Sequence, residues 1–134
     1  MTDPSPAATL HIGAVASRTE LSLRTLRHYD EVGLVRPSAR SEGGFRLYTE
    51  DDVERLLLVR RMKPLGFTLE EMAELLEITD ALEAGTLDGD PTGGPTGDAR
   101  ARLDGYRAAA EERRAGLARK LAMADEFIEL LRSR

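Results

Sequence analysis

Residues 22–29, with the sequence SLRTLRHY, decide the fold of this chain. Serine is among the preferred N-cap residues of helices, so Ser22 predicts a helix that begins directly after it. Basic and apolar side chains then recur at helical spacing, which gives the helix a basic side and an apolar side. The basic side chains are Arg24, Arg27 and His28, and the apolar ones are Leu23, Leu26 and Tyr29. We interpret the stretch as a helix that enters a groove of DNA and keeps its apolar side in the protein core.

The residues before this stretch predict a second short helix. Ile12, Val15 and Ala16 are spaced as one face of a helix over residues 13–19. The tight bend that follows contains Glu20 where glycine would be easier, so we expect backbone strain there. Two short helices joined by a tight bend are typical of a helix-turn-helix.

Beyond the basic helix, the pattern changes to that of a β-hairpin. Gly33 is expected to end the helix near Val32. The pair Gly43-Gly44 predicts a hairpin turn, and the residues after it alternate in polarity. This pattern predicts a two-stranded wing, and an ordinary surface hairpin is the alternative.

Two further helices are predicted from their ends. Residues 49–52 place acidic side chains in the first turn of a third helix, where they suit the helix dipole, and Gly66 lies just past its end. Thr68 and Glu71 have the spacing of a capping box for a fourth helix. We therefore expect residues 10–80 to form one head domain of four helices and a wing.

Segments rich in proline and glycine flank this head. Residues 1–9 contain two prolines and small polar residues, and we expect them to be flexible. Residues 84–98 contain five glycines and two prolines, which predicts a flexible linker over residues 81–98. A binding loop is the alternative for this segment, and we prefer the spacer.

The remaining residues, 99–134, return to a helical pattern. Nine positions follow steps of four and three residues, and seven of them are apolar, which is typical of a coiled-coil seam. A helix that folds back on its own head is the alternative, and we favour pairing with a second copy. The apolar seam positions, which we expect to form the dimer contacts, are Leu103, Ala110, Leu117, Leu121, Ala124, Ile128 and Leu131.

Composition narrows the classes of function. The absence of cysteine excludes disulfides and thiolate metal sites, and two histidines are too few for an obvious metal cage, so we expect no cofactor. No apolar run approaches the roughly 20 residues that a membrane helix needs, and the N-terminus lacks the features of a signal peptide. We therefore expect a cytoplasmic protein. We find no nucleophile–base set in the sequence, so we expect that the protein is not an enzyme.

Charge is distributed unevenly along the chain. The net charge is −5, which argues against simple phosphate binding by the whole molecule. Residues 18–48 nevertheless contain six arginines and four acidic residues, a local balance of +2. Any affinity for DNA must therefore come from a local basic surface.

Residues 12–78 resemble the DNA-binding domain of the MerR family of transcription regulators. The most specific pieces are the runs RTLR at 24–27, YD at 29–30, GL at 33–34 and LGF at 65–67, together with Tyr48 after the wing residue Arg46. The resemblance implies a winged helix-turn-helix dimer that is joined by an antiparallel coiled coil and binds an inverted-repeat promoter operator. Such dimers bend and untwist DNA, so deformation of the promoter controls transcription initiation.

The resemblance and the residue types together predict the DNA contacts. Arg24, near the start of the helix, can fork onto guanine O6 and N7. Arg27 and His28 can hold phosphates, and the family usually has tyrosine where this chain has His28. The expected DNA-binding residues are Arg18, Ser22, Arg24, Thr25, Arg27, His28, Tyr29, Phe45, Arg46, Tyr48 and Arg60. Arg36 and Arg40 are interpreted as solvated loop charges.

The expected partners are double-stranded promoter DNA, a second copy of the chain and, indirectly through the promoter, RNA polymerase. Without cysteine the resemblance to metal-sensing and redox-sensing branches stops at the head. A small-molecule effector is left open, and we rank constitutive or partner-controlled action above it. The alternative from another class is a protein-interaction adaptor that uses the coiled coil and has a weak or lost DNA-binding head.

Overall fold

The computed structural model describes residues 8–88 and 94–134, apart from the side chains of residues 86–88 and 94–96. Most of the predicted flexible N-terminus therefore lies outside the described residues. The chain divides into two units, with the boundary between Ala73 and Glu74 rather than at the predicted 80/81. The elements are β1 (Leu10–His11), α1 (Ile12–Thr19), α2 (Leu23–Glu31), β2 (Ala39–Arg40), β3 (Arg46–Tyr48), α3 (Glu50–Met62), a 3₁₀ turn (Lys63–Leu65), α4 (Leu69–Asp88) and α5 (Gly94–Arg132).

Side-chain caps begin three of the helices, and the sequence predicts two of these caps, at Ser22 and Thr68. The Ser22 hydroxyl accepts a hydrogen bond from the Thr25 N–H at 3.0 Å and so starts α2. At α3, Thr49 forms a full capping box with Asp52. The Thr68 N–H donates to a Glu71 carboxylate oxygen at 2.9 Å, and the reciprocal bond closes the box at α4. Each cap satisfies backbone N–H groups that have no partner within the helix.

The bend between α1 and α2 is strained at the predicted residue. Glu20 has φ 60° and ψ 25°, in the left-handed region that L side chains rarely adopt. Its N–H donates to the Ala16 carbonyl at 2.8 Å. The buried Thr19 hydroxyl supports the same turn, because it donates to the Val15 carbonyl and accepts from the Leu21 N–H. The prediction of a tight bend with strain at Glu20 is confirmed.

The wing differs from its prediction, because the sheet has three strands in the order β1-β3-β2. Both pairs are antiparallel, with Leu10 opposite Tyr48 and Ala39 opposite Leu47. The predicted two-stranded wing is therefore incomplete. A strand of two residues is too short to show an alternating pattern, and β1 is defined only by its pairing with β3.

The core of the first unit is mainly aliphatic, with the buried aromatic side chains of Tyr29, Tyr48 and Phe67. The buried Asp52 carboxylate joins the start of α3 to the chain before β2, because it accepts from the Ser38 N–H, the Ser38 hydroxyl and the Thr49 N–H at 2.8–2.9 Å. The fully buried large side chains of this unit include Val15, Leu26, Tyr48, Val53, Leu56 and Val59.

The predicted linker is largely helical. α4 continues to Asp88 and α5 begins at Gly94, so 81–88 and 94–98 belong to helices, and 89–93 lie outside the described residues. Glycine costs only about 1 kcal/mol in a helix interior, a penalty that packing overrides at the buried Gly85. Pro95 lies in the first turn of α5, where proline is tolerated.

The second unit ties the start of α5 to α4. Glu74 on α4 accepts a 2.6 Å hydrogen bond from the Tyr106 hydroxyl and pairs with Arg102 at 2.8 Å. These two bonds lower the pKa of Glu74. Ala99 is buried in the same unit. Farther along α5 the side chains are exposed, including those of the large apolar residues Leu117, Leu121, Met123, Phe127, Ile128, Leu130 and Leu131.

Candidate nucleic-acid interface

α2 has one buried side and one exposed side. Leu26 and Tyr29 are buried, whereas Arg24, Arg27 and His28 are exposed. Leu23, which we expected in the core, is 40% exposed, because it is the first residue of the helix and lies outside the buried stripe. The helix therefore presents its basic side chains outward, as the sequence predicts.

Arg24 and Arg27 are exposed cations without a countercharge. Within the described residues, neither forms an ion pair with a carboxylate. Arg24 is the second residue of α2 and Arg27 the fifth, so both lie on the first turns of the helix. Guanidinium groups in this state are available to an anionic partner.

The N-cap of α2 links two of the expected contact residues. The Ser22 hydroxyl accepts from the Thr25 N–H and donates to the Thr25 hydroxyl oxygen at 2.9 Å. Ser22 is exposed and Thr25 is half-buried. The serine thus positions the start of the helix.

The wing turn carries an exposed aromatic ring. Phe45 is exposed at the tip, and its ring lies against Gly43, where an added Cβ would come within 3.0 Å of it. The turn is closed by hydrogen bonds from the Ser41 N–H to the Phe45 carbonyl and from the Gly44 N–H to the Ser41 carbonyl. Gly44 has φ 83°, a conformation that favours glycine.

The wing arginines are paired with an acid of α2. Asp30 Oδ2 accepts from Arg46 Nε at 2.7 Å and from Arg40 Nη2 at 3.2 Å. Burial by itself raises the pKa of Asp30, but the hydrogen bonds and charges of the two arginines outweigh it and lower the pKa. Arg40 is therefore not the solvated loop charge that we expected.

Arg18 and Arg60 are also paired with acids, across the surface of the head. Arg18 Nη1 lies 2.6 Å from Glu50 Oε2, and Arg60 Nη2 lies 2.6 Å from Glu20 Oε1. The Glu50 hydrogen bond and charge raise the pKa of Arg18. Exposed pairs of this kind contribute little stability, so a phosphate can compete for either arginine.

Two of the expected contacts belong to the core. Tyr48 is fully buried and Tyr29 nearly so, and burial raises the pKa of both phenols. Among the described residues the Tyr48 hydroxyl has no hydrogen-bond partner. Tyr48 pairs with Leu10 across the sheet, which the sequence did not reveal, and its full burial argues against the predicted contact with DNA.

Sequence reasoning missed Asp30 and Arg40 as parts of this surface. A signal was present, because an acid near the C-terminus of a helix is unfavourable beside the helix dipole. Asp30 occupies that position in α2, so a cationic partner from elsewhere in the chain was to be expected.

The described residues contain neither a metal-binding cluster nor a membrane-spanning helix. No cluster of three or more histidine and acidic side chains is arranged to hold a metal ion within this part of the chain. No described helix combines the length and apolar character that crossing a membrane requires.

The geometry defines a class of protein. A cap-fixed helix-turn-helix, followed by a hairpin wing, and a long C-terminal helix are the parts of a winged helix-turn-helix regulator. Comparison with known proteins agrees. A family model described as MerR HTH family regulatory protein matches residues 10–78, just over half of the chain.

Relatives and solved structures extend the match. The HTH-type transcriptional regulator ZntR of Escherichia coli K12 is 45% identical over 67 residues, 50% of this chain and 48% of that protein. MtaN, the N-terminus of a Bacillus subtilis multidrug transporter activator, is 30% identical, with a TM-score of 0.55 over 91% of this chain and 93% of that one. HiNmlR, a MerR family regulator crystallised on promoter DNA, shares the fold at 24% identity and TM-score 0.69, over 94% and 92% of the two chains.

The chain belongs to the MerR family of helix-turn-helix regulatory proteins. It spans about half the length of the curated relatives it matches.

Proposed function

We propose that this protein is a DNA-binding transcription regulator that reads a promoter operator with α2. The observation that carries the proposal is the pair Arg24 and Arg27, exposed on a capped helix and without a countercharge among the described residues. Family membership supports the same function and does not favour the adaptor alternative.

The start of α2 is the part that reaches base edges in a helix-turn-helix. Arg24 there forks onto guanine O6 and N7, a contact worth about 1–3 kcal/mol of discrimination against the wrong base. Thr25, half-buried behind the cap, contacts a thymine methyl or a phosphate. Arg27 and His28 hold the backbone on either side, and Ser22 positions the helix.

The wing, together with Arg18 and Arg60, binds the DNA backbone. Phe45 and Arg46 lie together at the wing and contact phosphates or the minor groove. Arg18 and Arg60 exchange their carboxylate partners for phosphates. Such an exchange makes the two guanidinium groups available to phosphates only when DNA is present, which suits a chain whose net charge is −5.

The operator is bound by two copies joined through α5. Four of the seam positions, Leu117, Leu121, Ile128 and Leu131, are between 44% and 64% exposed in the single chain. A second α5, packed antiparallel, would cover them. Two heads related by a two-fold axis then match an inverted repeat.

The dimer acts on transcription by distorting the promoter, and thereby acts on RNA polymerase indirectly. It works in the cytoplasm on the nucleoid, without an enzymatic activity or a cofactor. Constitutive or partner-controlled action ranks above an effector molecule as the means of regulation.

Genome-wide mapping of bound sites tests the proposal, followed by binding of the full chain to a duplex that carries the mapped site. Arg24→Ala is expected to weaken that binding by about 10–100-fold, since it removes a bidentate base contact. Arg119→Ala removes the same charge from α5 and is expected to leave affinity close to that of the unchanged chain. Equal affinities of the two variants would refute the assignment of α2 as the reading helix.

A further inference from the structure

One carboxylate fixes the wing to the reading helix. Asp30 lies in the last turn of α2, and its side chain is only 10% exposed. The same oxygen, Oδ2, accepts from Arg46 Nε at 2.7 Å and from Arg40 Nη2 at 3.2 Å. Because Arg40 belongs to β2 and Arg46 to β3, the carboxylate holds both strands of the hairpin. We call Asp30, Arg40 and Arg46 the wing clamp.

The wing clamp also reaches the tip of the wing. Arg40 Nη1 lies 3.4 Å from the Gly44 carbonyl oxygen, to which it donates a hydrogen bond. The tip is closed from within by the Ser41 hydroxyl, which accepts from the Phe45 N–H at 3.1 Å. Asp30 therefore fixes the position of the wing tip, and of its exposed aromatic ring, relative to α2.

The wing clamp leaves Arg46 able to bind DNA. A guanidinium group has five N–H donors in a fixed fork, and Asp30 engages the one on Nε. The donors on Nη1 and Nη2 are not used by this bond, and the Arg46 side chain is 26% exposed. An arginine oriented in advance loses less side-chain freedom when it binds than one that is free in water.

Burial separates this pair from the exposed pairs that Arg18 and Arg60 form. The side chains of Arg18 and Glu50 are 46% and 57% exposed, so water and salt weaken that pair. The side chains of Arg46 and Asp30 are only 26% and 10% exposed, so water and salt weaken this pair less. A carboxylate beside Arg46 also reduces the attraction of the free wing for any phosphate backbone, whatever its sequence.

We infer that Asp30 is a positioning residue that determines specificity: it aligns the wing with the reading helix for the operator and restrains the wing arginines from indiscriminate phosphate binding. This inference rests on the proposed function. Asp30 acts through Arg46 and Arg40 and has no contact with DNA of its own.

The test compares two neutralised neighbours in the full-length protein. Asp30→Asn and Glu31→Gln each remove one negative charge from the end of α2, and the exposed Glu31 forms no ion pair within the described residues. Affinity is measured over a salt series for a duplex with the mapped operator and for the same duplex with its base order shuffled. Specificity is the ratio of the two affinities.

Asp30→Asn is expected to lower the ratio by about tenfold, a loss comparable with one misplaced base contact. Its binding to the shuffled duplex is expected to become steeper in salt, with the log–log slope larger by about 0.9 for each arginine released to a phosphate. Glu31→Gln is expected to strengthen binding to both duplexes by a similar factor. Equal ratios for the two variants would overturn the inference.

A second variant keeps the fold and the charge. In Arg46→Lys, a single ammonium group cannot bind Asp30 and a phosphate with separate donors as the guanidinium group does. The specificity ratio is therefore expected to fall as it does in Asp30→Asn. Combining Asp30→Asn with Arg46→Lys is expected to lower it little further. A wild-type ratio in Arg46→Lys refutes the inference even when Asp30→Asn folds poorly. Failure of Arg24→Ala to weaken operator binding refutes the proposed function instead.

Discussion

The side chains of the head and those at the end of α5 find their interaction partners in different parts of the chain. In the head, arginines pair with acids from distant parts of the chain, as Arg18 does with Glu50 and Arg46 with Asp30. Near the end of α5, Arg132 pairs with Glu129, which lies one helical turn before it, and Leu121 is 64% exposed. The contrast teaches that the head pairs several of its arginines through tertiary contacts, whereas the last helix has an exposed apolar surface within a single chain.

The start of α5 qualifies this contrast. Tyr106 and Arg102 both bond to Glu74 of α4, so the first turns of α5 are fastened within one chain. The exposed large apolar side chains of α5 begin at Leu117. Dimerisation should therefore depend on the second half of the helix.

Charging the seam is expected to have the largest effect. Leu121→Glu with Ile128→Glu places carboxylates in an apolar interface, so the protein should sediment as a monomer. Operator affinity should fall by about 100-fold or more, because two linked heads gain avidity that a single head lacks. Sedimentation and operator titration measure the two effects.

The matched control is Ala115→Glu with Ala122→Glu. It adds the same charges at the same spacing on the far side of the helix, at about 100° per residue. A control that dissociates as readily as the seam variant would place the dimer contact elsewhere.

Within the head, Asp52 is the most sensitive polar residue. The Asp52 carboxylate accepts three hydrogen bonds. In Asp52→Asn, an NH₂ group replaces one of the two oxygens and faces donors that it cannot accept from. The free energy of unfolding should fall by about 2–3 kcal/mol, as measured by urea denaturation. Asp51→Asn, an exposed neighbour in the same turn, should change it by less than about 0.5 kcal/mol. Comparable losses in both would mean that the buried network is not decisive.

The strained bend can be examined with two substitutions of Glu20. Both Glu20→Gly and Glu20→Ala remove the ion pair to Arg60, but only glycine adopts φ 60° without a steric penalty. The glycine variant should be the more stable by about 1 kcal/mol in thermal or urea unfolding. An alanine variant as stable as the glycine variant would show that the bend has relaxed.

The wing clamp predicts a dependence on pH. The pKa of Asp30 is lowered from its ordinary value of 3.8 in the folded protein, so its stabilising contribution is present above that value and is lost as the pH falls through the lowered pKa. Asp30→Asn should be less stable than the wild type by roughly 1 kcal/mol at pH 7, and the difference should shrink as the pH falls below 3.8 and through the lowered pKa of Asp30. Urea unfolding over a series of pH values measures it, and a difference that never shrinks on acidification would contradict the role of the ionised carboxylate.

The smallest effect is expected at Tyr48. Its hydroxyl is buried without a partner among the described residues, so Tyr48→Phe removes a desolvated polar group. The variant should match or exceed the wild type in stability by up to about 1 kcal/mol, with unchanged operator affinity. Calorimetry and titration measure both, and weakened operator binding would restore Tyr48 as a DNA contact.

The sequence by itself determined the starts of α2, α3 and α4 and the bend between the first two helices. The caps at Ser22, Thr49 and Thr68 act over three residues, so their pattern is legible without knowledge of the fold. The same holds for the outward placement of Arg24 and Arg27, because helical spacing alone separates the two sides of α2.

Only the tertiary structure decided which residues of the site remain available. Strand β1 exists because it pairs with β3, which buries Tyr48, and the linker predicted from glycine content became helical where packing outweighed a weak propensity. The bonds from Asp30 to Arg40 and Arg46 join residues 10 and 16 positions apart along the chain. No local pattern specifies such partners, because they meet only after the hairpin has folded against α2.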